Sequence, residues 1–134
     1  MQAAVEEAVE KLTGVKSDVV GSGRTDAGVH AMAQVAHVDI EKALAPGQLA
    51  DALNAHLRPH PIAVLKAGAA AEDFHARFHA RRRVYLYSIL NRRAPAALAR
   101  GFVWRIARRL DADAMQAAAQ RLVGRHDFTT FRDS

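Results

Sequence analysis

The turn Gly21-Ser22-Gly23-Arg24-Thr25-Asp26-Ala27-Gly28 carries the residues with the clearest chemical potential. A dinucleotide fingerprint would place glycine where Asp26 stands and a helix after the turn, whereas Val29 to Ile40 reads as strand. A P-loop would want Lys and then Ser or Thr after the last glycine, and finds Val29 and His30. Both phosphate-cradle chemistries are excluded. What remains is a guanidinium and a carboxylate on a turn whose glycines allow a ligand or another backbone to approach closely. Asp26 then has two readings. Either it hydrogen-bonds its own turn, as Asp commonly does, or it serves as a nucleophile or general base.

Two further groups invite chemistry. His75 and His79 are four apart, but a zincin needs Glu directly after the first His and this chain has Ala76. His30 and His37 have no carboxylate at ligand spacing, so no metal is expected. Arg83, Tyr85 and Tyr87 fall on one face of a strand-like segment, preceded by Arg77, Arg81 and Arg82. Guanidinium groups follow phosphates, and a tyrosine ring offers a base a stacking platform worth ~1–3 kcal/mol. An ordinary outer sheet face would also carry Tyr and Arg. Taken with the turn, however, this face points to chemistry on a nucleotide.

The charge pattern agrees. Residues 1–74 hold six Lys or Arg against ten Asp or Glu, and residues 75–134 hold thirteen Arg against four Asp. The 29 alanines, and the 15 arginines against four lysines, fit a G+C-rich coding bias. That bias accounts for Arg replacing Lys but not for positive charge gathered in one half, which suits a polyanion.

These residues need elements to position them. Val5, Ala8, Val9 and Leu12 repeat at helical spacing, so residues 2–13 form an amphipathic helix closing near Gly14. Residues 17–21 read as a short strand and 29–40 as a longer one, with the glycine-rich turn between them. Pro46 opens a second helix that runs to about residue 57. His60, between two prolines, is loop. Residues 62–68 read as an apolar strand, 83–90 as the cleanest strand of the chain, and 102–106 as another. Asp111 caps a helix through Val123 that Gly124 closes. Irregular alternation of helix and strand favours an α+β class.

The 134 residues suffice for one domain, or for a large half of a bigger one. Hydrophobic residues at 50% and charged ones at 25% are ordinary globular composition and argue against a disordered tail. With no cysteine, a disulfide framework, a thiolate metal site and a cysteine nucleophile are all excluded. No apolar run approaches the ~20 residues that span a bilayer, and no signal-peptide pattern opens the chain, so neither a membrane partner nor secretion is expected.

The segment Gly23-Arg24-Thr25-Asp26-Ala27-Gly28-Val29-His30-Ala31 resembles the signature of the tRNA pseudouridine synthase A family. The likeness continues at Gln34-Val35-Ala36-His37, Ala52 to Leu57, Asp73 to Phe78, Arg83 to Tyr87 and Gly124 to Phe131. The resemblance implies isomerisation of uridine to pseudouridine in the anticodon stem-loop of tRNA, without a cofactor or metal. It implies that Asp26 is the catalytic aspartate, that Tyr85 stacks on the target base and assists late proton transfer, and that Arg24 helps displace that base. It places Arg24, Thr25, His30, Arg77, Arg83 and Tyr85 against RNA. Its other implications are a cytoplasmic enzyme, a homodimer when complete, and the pseudouridine synthase fold, a mixed, mostly antiparallel sheet with helices on one face.

The chain departs from that family in extent. Members begin with a strand before the helix that here opens at Met1, and they continue well past Phe131. The sequence therefore reads as one partial domain over residues 1–134. Residues 1 to about 110 would be the N-terminal catalytic half, and about 111–134 the start of the second. The competing reading is a non-catalytic RNA-binding fragment or decayed paralogue that keeps the basic strand.

Overall fold

A computed structural model describes residues 1–131. Helices and two small sheets make up the chain, an α+β mixture. It divides into two compact units, Met1–Tyr85 and a second beginning at Leu86.

The first unit is built on two helices. Helix α1 spans Gln2–Thr13, and its apolar stripe buries Ala8 and Val9. It stops where expected. Gly14 takes a left-handed φ of 78° and its N–H donates to the Glu10 carbonyl, a conformation other residues adopt at a cost. Helix α2 spans Pro46–Leu57, with proline in the first turn where the missing N–H leaves no bond unmade. Ala45 has no side-chain acceptor to offer, so only the return arm of a capping box forms, from the Ala45 N–H to Gln48 Oε1. Leu53 and Leu57 of α2 meet Ala8 and Val9 of α1 and Val19 of the following segment to form the core.

Strands β1 (Val20–Gly21) and β2 (Ala36–His37) pair antiparallel, with Val20 opposite His37 and Gly21 opposite Ala36. The long strand anticipated over 29–40 thus shrinks to Ala36–His37, because residues 23–34 leave the ladder as a loop. The strand anticipated over 62–68 is also absent. Ile62 and Val64 still turn toward the core, as the alternation demands, but their neighbour is a helix. The Asn54 side chain supplies the bonds a ladder would have made, donating to the Val64 carbonyl at 2.9 Å and accepting its N–H at 2.7 Å.

In the second unit β3 (Ile89–Asn91) pairs parallel with β4 (Trp104–Ile106). The anticipated strand 83–90 is ordered as ladder only at its end. The described residues form two two-stranded ladders, one antiparallel and one parallel. Parallel strands need a crossover of about a dozen residues, and 92–103 provides it. Helix α3 (Ala112–Gln120) is capped by Asp111, whose Oδ1 accepts the Ala114 N–H at 2.9 Å. It ends before Val123. Residues 121–123 instead donate three residues back, a tightened last turn that Gly124 leaves at φ 115°. No helix among the described residues is long and apolar enough to cross a membrane.

Candidate active site

The loop between β1 and β2 carries Arg24, Thr25, Asp26 and His30. One more rung closes its neck past the ladder, the Ser22 N–H donating to the Val35 carbonyl at 2.8 Å. Farther out the backbone folds back on itself. The Asp26 carbonyl accepts the Val29 N–H at 3.1 Å, and Gly28 has φ 83° where a type II turn demands a positive value. A Cβ on Gly28 would meet nothing within 4 Å, so conformation, not space, is what requires glycine there.

It is the backbone carbonyl of Asp26 that makes the turn bond. The carboxylate has no hydrogen-bond or ion-pair partner among the described residues, and Asp26 and Arg24 are both exposed while Thr25 is half-buried. The reading in which the Asp26 side chain merely holds its own turn is therefore set aside. A cleft of about 620 Å³ adjoins the loop on the Gly28–Ala31 side, with Glu7 of α1 and His60 on its other walls.

The basic segment reaches this turn through one residue. Arg83 Nη2 donates to the Ser22 carbonyl at 2.6 Å and, more weakly, to the Arg77 carbonyl at 3.5 Å, and its Nε lies over Gly23. Arg77 and Arg83 are themselves exposed. Tyr85, two residues on, is 71% exposed. No hydrogen bond or ring contact engages it among the described residues, so the structure brings Arg83 onto the turn but leaves Tyr85 without a bond to Asp26.

A second turn, residues 73–79, is organised by imidazoles. His37 Nδ1 in β2 accepts the N–H of buried Ala76 at 3.1 Å, and His75 Nδ1 accepts those of Arg77 and Phe78. His79 Nδ1 accepts the His75 N–H, and the His75 ring stacks on Phe78 with centroids 4.1 Å apart. With these Nδ1 atoms turned to backbone donors, the histidines build a turn that fixes the Arg77 backbone. Among the described residues no three His, Cys, Asp or Glu side chains gather as metal ligands would.

Sequence reasoning gave no role to Gln34. Its amide bridges Ser22 Oγ, which donates to Oε1 at 2.5 Å, and the Gly23 carbonyl, which accepts from Nε2 at 2.7 Å. The available signal was a lone amide within the otherwise apolar run Ala31 to Ala36.

A family model described as tRNA pseudouridine synthase matches residues 1–79. The chain is 64% identical over all its 134 residues to the tRNA pseudouridine synthase A of Rhodopseudomonas palustris BisB18, covering 55% of that protein. It is 62% identical to the protein of that name from Bradyrhizobium sp. BTAi1 and 57% to the one from Maricaulis maris MCS10, covering 55% and 54% of them. The chain thus spans about half the length of these curated relatives. On that match of sequence, the chain belongs to the tRNA pseudouridine synthase family.

Proposed function

We propose that this chain supplies the catalytic half of an enzyme that isomerises uridine to pseudouridine in the anticodon stem-loop of tRNA, with Asp26 as the catalytic group. The observation that carries the reading is the Asp26 carboxylate, exposed and unbonded on a turn whose own geometry is satisfied by backbone. The reaction is an isomerisation and needs no co-reactant. The C1′–N1 bond breaks, the freed uracil turns, C5 joins C1′, and the proton on C5 is lost as N1 gains one. Asp26 attacks C1′ or C6, or assists a glycal route.

Everting the target base costs a few kcal/mol of lost stacking. Tyr85 replaces that stacking, and its exposed ring is free to receive a base. Arg24 fills the vacated space. Thr25, His30, Arg77 and the remaining donors of Arg83 contact the RNA, so binding weakens steeply with salt. In the whole protein, residues 1 to about 110 form the catalytic half and about 111–134 open the second. The finished assembly is a cytoplasmic homodimer of the pseudouridine synthase fold, a mixed, mostly antiparallel sheet with helices on one face.

The test is tritium release from C5-labelled uridine in an anticodon stem-loop. It uses this chain alone and this chain substituted for the matching segment of the Rhodopseudomonas palustris relative. The substituted protein turns over, and Asp26→Asn lowers its kcat by about a thousandfold or more. Normal turnover by the Asp26→Asn variant would end the catalytic assignment. Salt-dependent tRNA binding without product would favour the RNA-binding fragment instead.

A further inference from the structure

We infer that Gln34 and Arg83 are positioning residues that clamp the backbone of Ser22 and Gly23 and so hold Asp26 in place for reaction. The inference rests on the reading of Asp26 given above. The β1–β2 ladder fixes the chain only as far as the Ser22 N–H. Between that rung and Asp26, the next two backbone carbonyls leave the ladder, and a side chain takes each. Ser22 O receives Arg83 Nη2 and Gly23 O receives Gln34 Nε2.

The orientation of the Gln34 amide is set by its partners. Nε2 must face the Gly23 carbonyl, because Oε1 there would oppose one acceptor with another. Oε1 is then left to accept the Ser22 hydroxyl, which closes a ring through Ser22, Gly23 and Gln34. Arg83 arrives from 61 residues away and grips the adjoining carbonyl. The two clamps differ in range but act on consecutive peptide groups, and Asp26 stands three residues beyond Gly23.

Neither side chain reaches the carboxylate, so their effect on chemistry is through placement. A displacement of about 1 Å at a reacting group can cost a hundredfold in rate, whereas RNA held mainly by phosphate contacts is little affected. Gln34 is uncharged, which separates placement from phosphate binding. Arg83 is charged and exposed, so its removal touches phosphate binding as well as placement.

Two measurements decide the matter. In the substituted relative described above, Gln34→Met lowers kcat by about tenfold to a hundredfold while KM for the stem-loop stays within about twofold. In the double variant with Arg83→Met, the two losses in kcat fall short of multiplying, because both clamps hold one turn. In this chain itself, exchange of the bonded Ser22 and Val29 amides on either side of the clamp quickens by about tenfold in Gln34→Met, with α1 and α2 unchanged. Unchanged exchange, or faster exchange with normal kcat, overturns the proposal. A raised KM with normal kcat also overturns it and makes Gln34 an RNA contact. A reference protein without turnover sinks the reading of Asp26, and the exchange result then still decides whether Gln34 holds the turn.

Discussion

The two units of the chain are held together by different physics. Every buried side chain among the described residues, namely Ala8, Val9, Val19, Leu53, Leu57 and Ala76, belongs to the first. In the second, none is buried, and Leu90, Val103, Ile106 and Leu110 are only half-covered. Side chains bonding to backbone take the place of a core there. Asn91 Nδ2 donates to the carbonyls of Ile106 and Arg108 while its Oδ1 accepts the Leu110 N–H. Arg92 reaches the carbonyls of Ala94 and Pro95, and Arg105 reaches that of Arg93. Each such bond replaces one with water and nets about 1 kcal/mol, whereas a buried Leu contributes about 1.5–3. The unit with the candidate catalytic turn is therefore the sturdier, and the arginine-rich unit spends part of its charge on itself.

The sharpest way to break this contrast is Leu57→Ala. The side chain is 1% exposed at the centre of the α1–α2 contact, and its truncation removes about 2–5 kcal/mol. Helical circular dichroism and amide exchange of α1 and α2 then report a lower melting temperature. Trp104, the only tryptophan, lies in β4 and reports the second unit through its fluorescence. If Leu57→Ala shifts the Trp104 transition as far as the helical one, the units fold as one and the contrast fails.

Asn91→Ala is the converse and a smaller test. It removes three bonds that tie β3 to residues 106–110, a loss of about 1–2 kcal/mol for partners that water can satisfy. The Trp104 transition moves to lower denaturant while exchange in α1 and α2 stays as it was. An unmoved Trp104 transition would mean that the ladder, and not the Asn91 staple, holds that unit.

The same contrast explains what the sequence disclosed. Helices α1 and α2 were legible to the residue range, and α3 to its cap, because their signals are local: a stripe at 3.6 spacing, Pro46, Gly14 and Asp111. Strands were legible only in part, as in Val20–Gly21 and Trp104–Ile106, because a ladder is a property of two segments. Val84 to Tyr87 alternates as a strand should, yet Val84 is 79% and Leu86 86% exposed, with no neighbouring strand among the described residues. At the site, the glycines announced the turn and its Arg24 and Asp26. Gln34 and Arg83 lie 11 and 61 residues from the carbonyls they hold, beyond the reach of any local pattern.

The smallest effect expected is at the far end of the second unit. Asp127 Oδ1 accepts both the N–H and the hydroxyl of Thr129, opening the 3₁₀ turn Thr129–Phe131. Those bonds, the hydroxyl's first, hold its carboxyl below the ordinary value of 3.8. A carboxyl depressed in the folded state contributes stability above its unfolded pKa, and that contribution is lost as pH falls through the folded one. Being fully exposed, it governs only its own turn. The Thr129 amide resonance should titrate with its midpoint below 3.8, as the acceptor is protonated. In Asp127→Asn that movement is absent while Trp104 fluorescence is unchanged. A midpoint at or above 3.8 would show the turn to be held without the carboxylate, and the second unit to rely less on polar staples than its bonds imply.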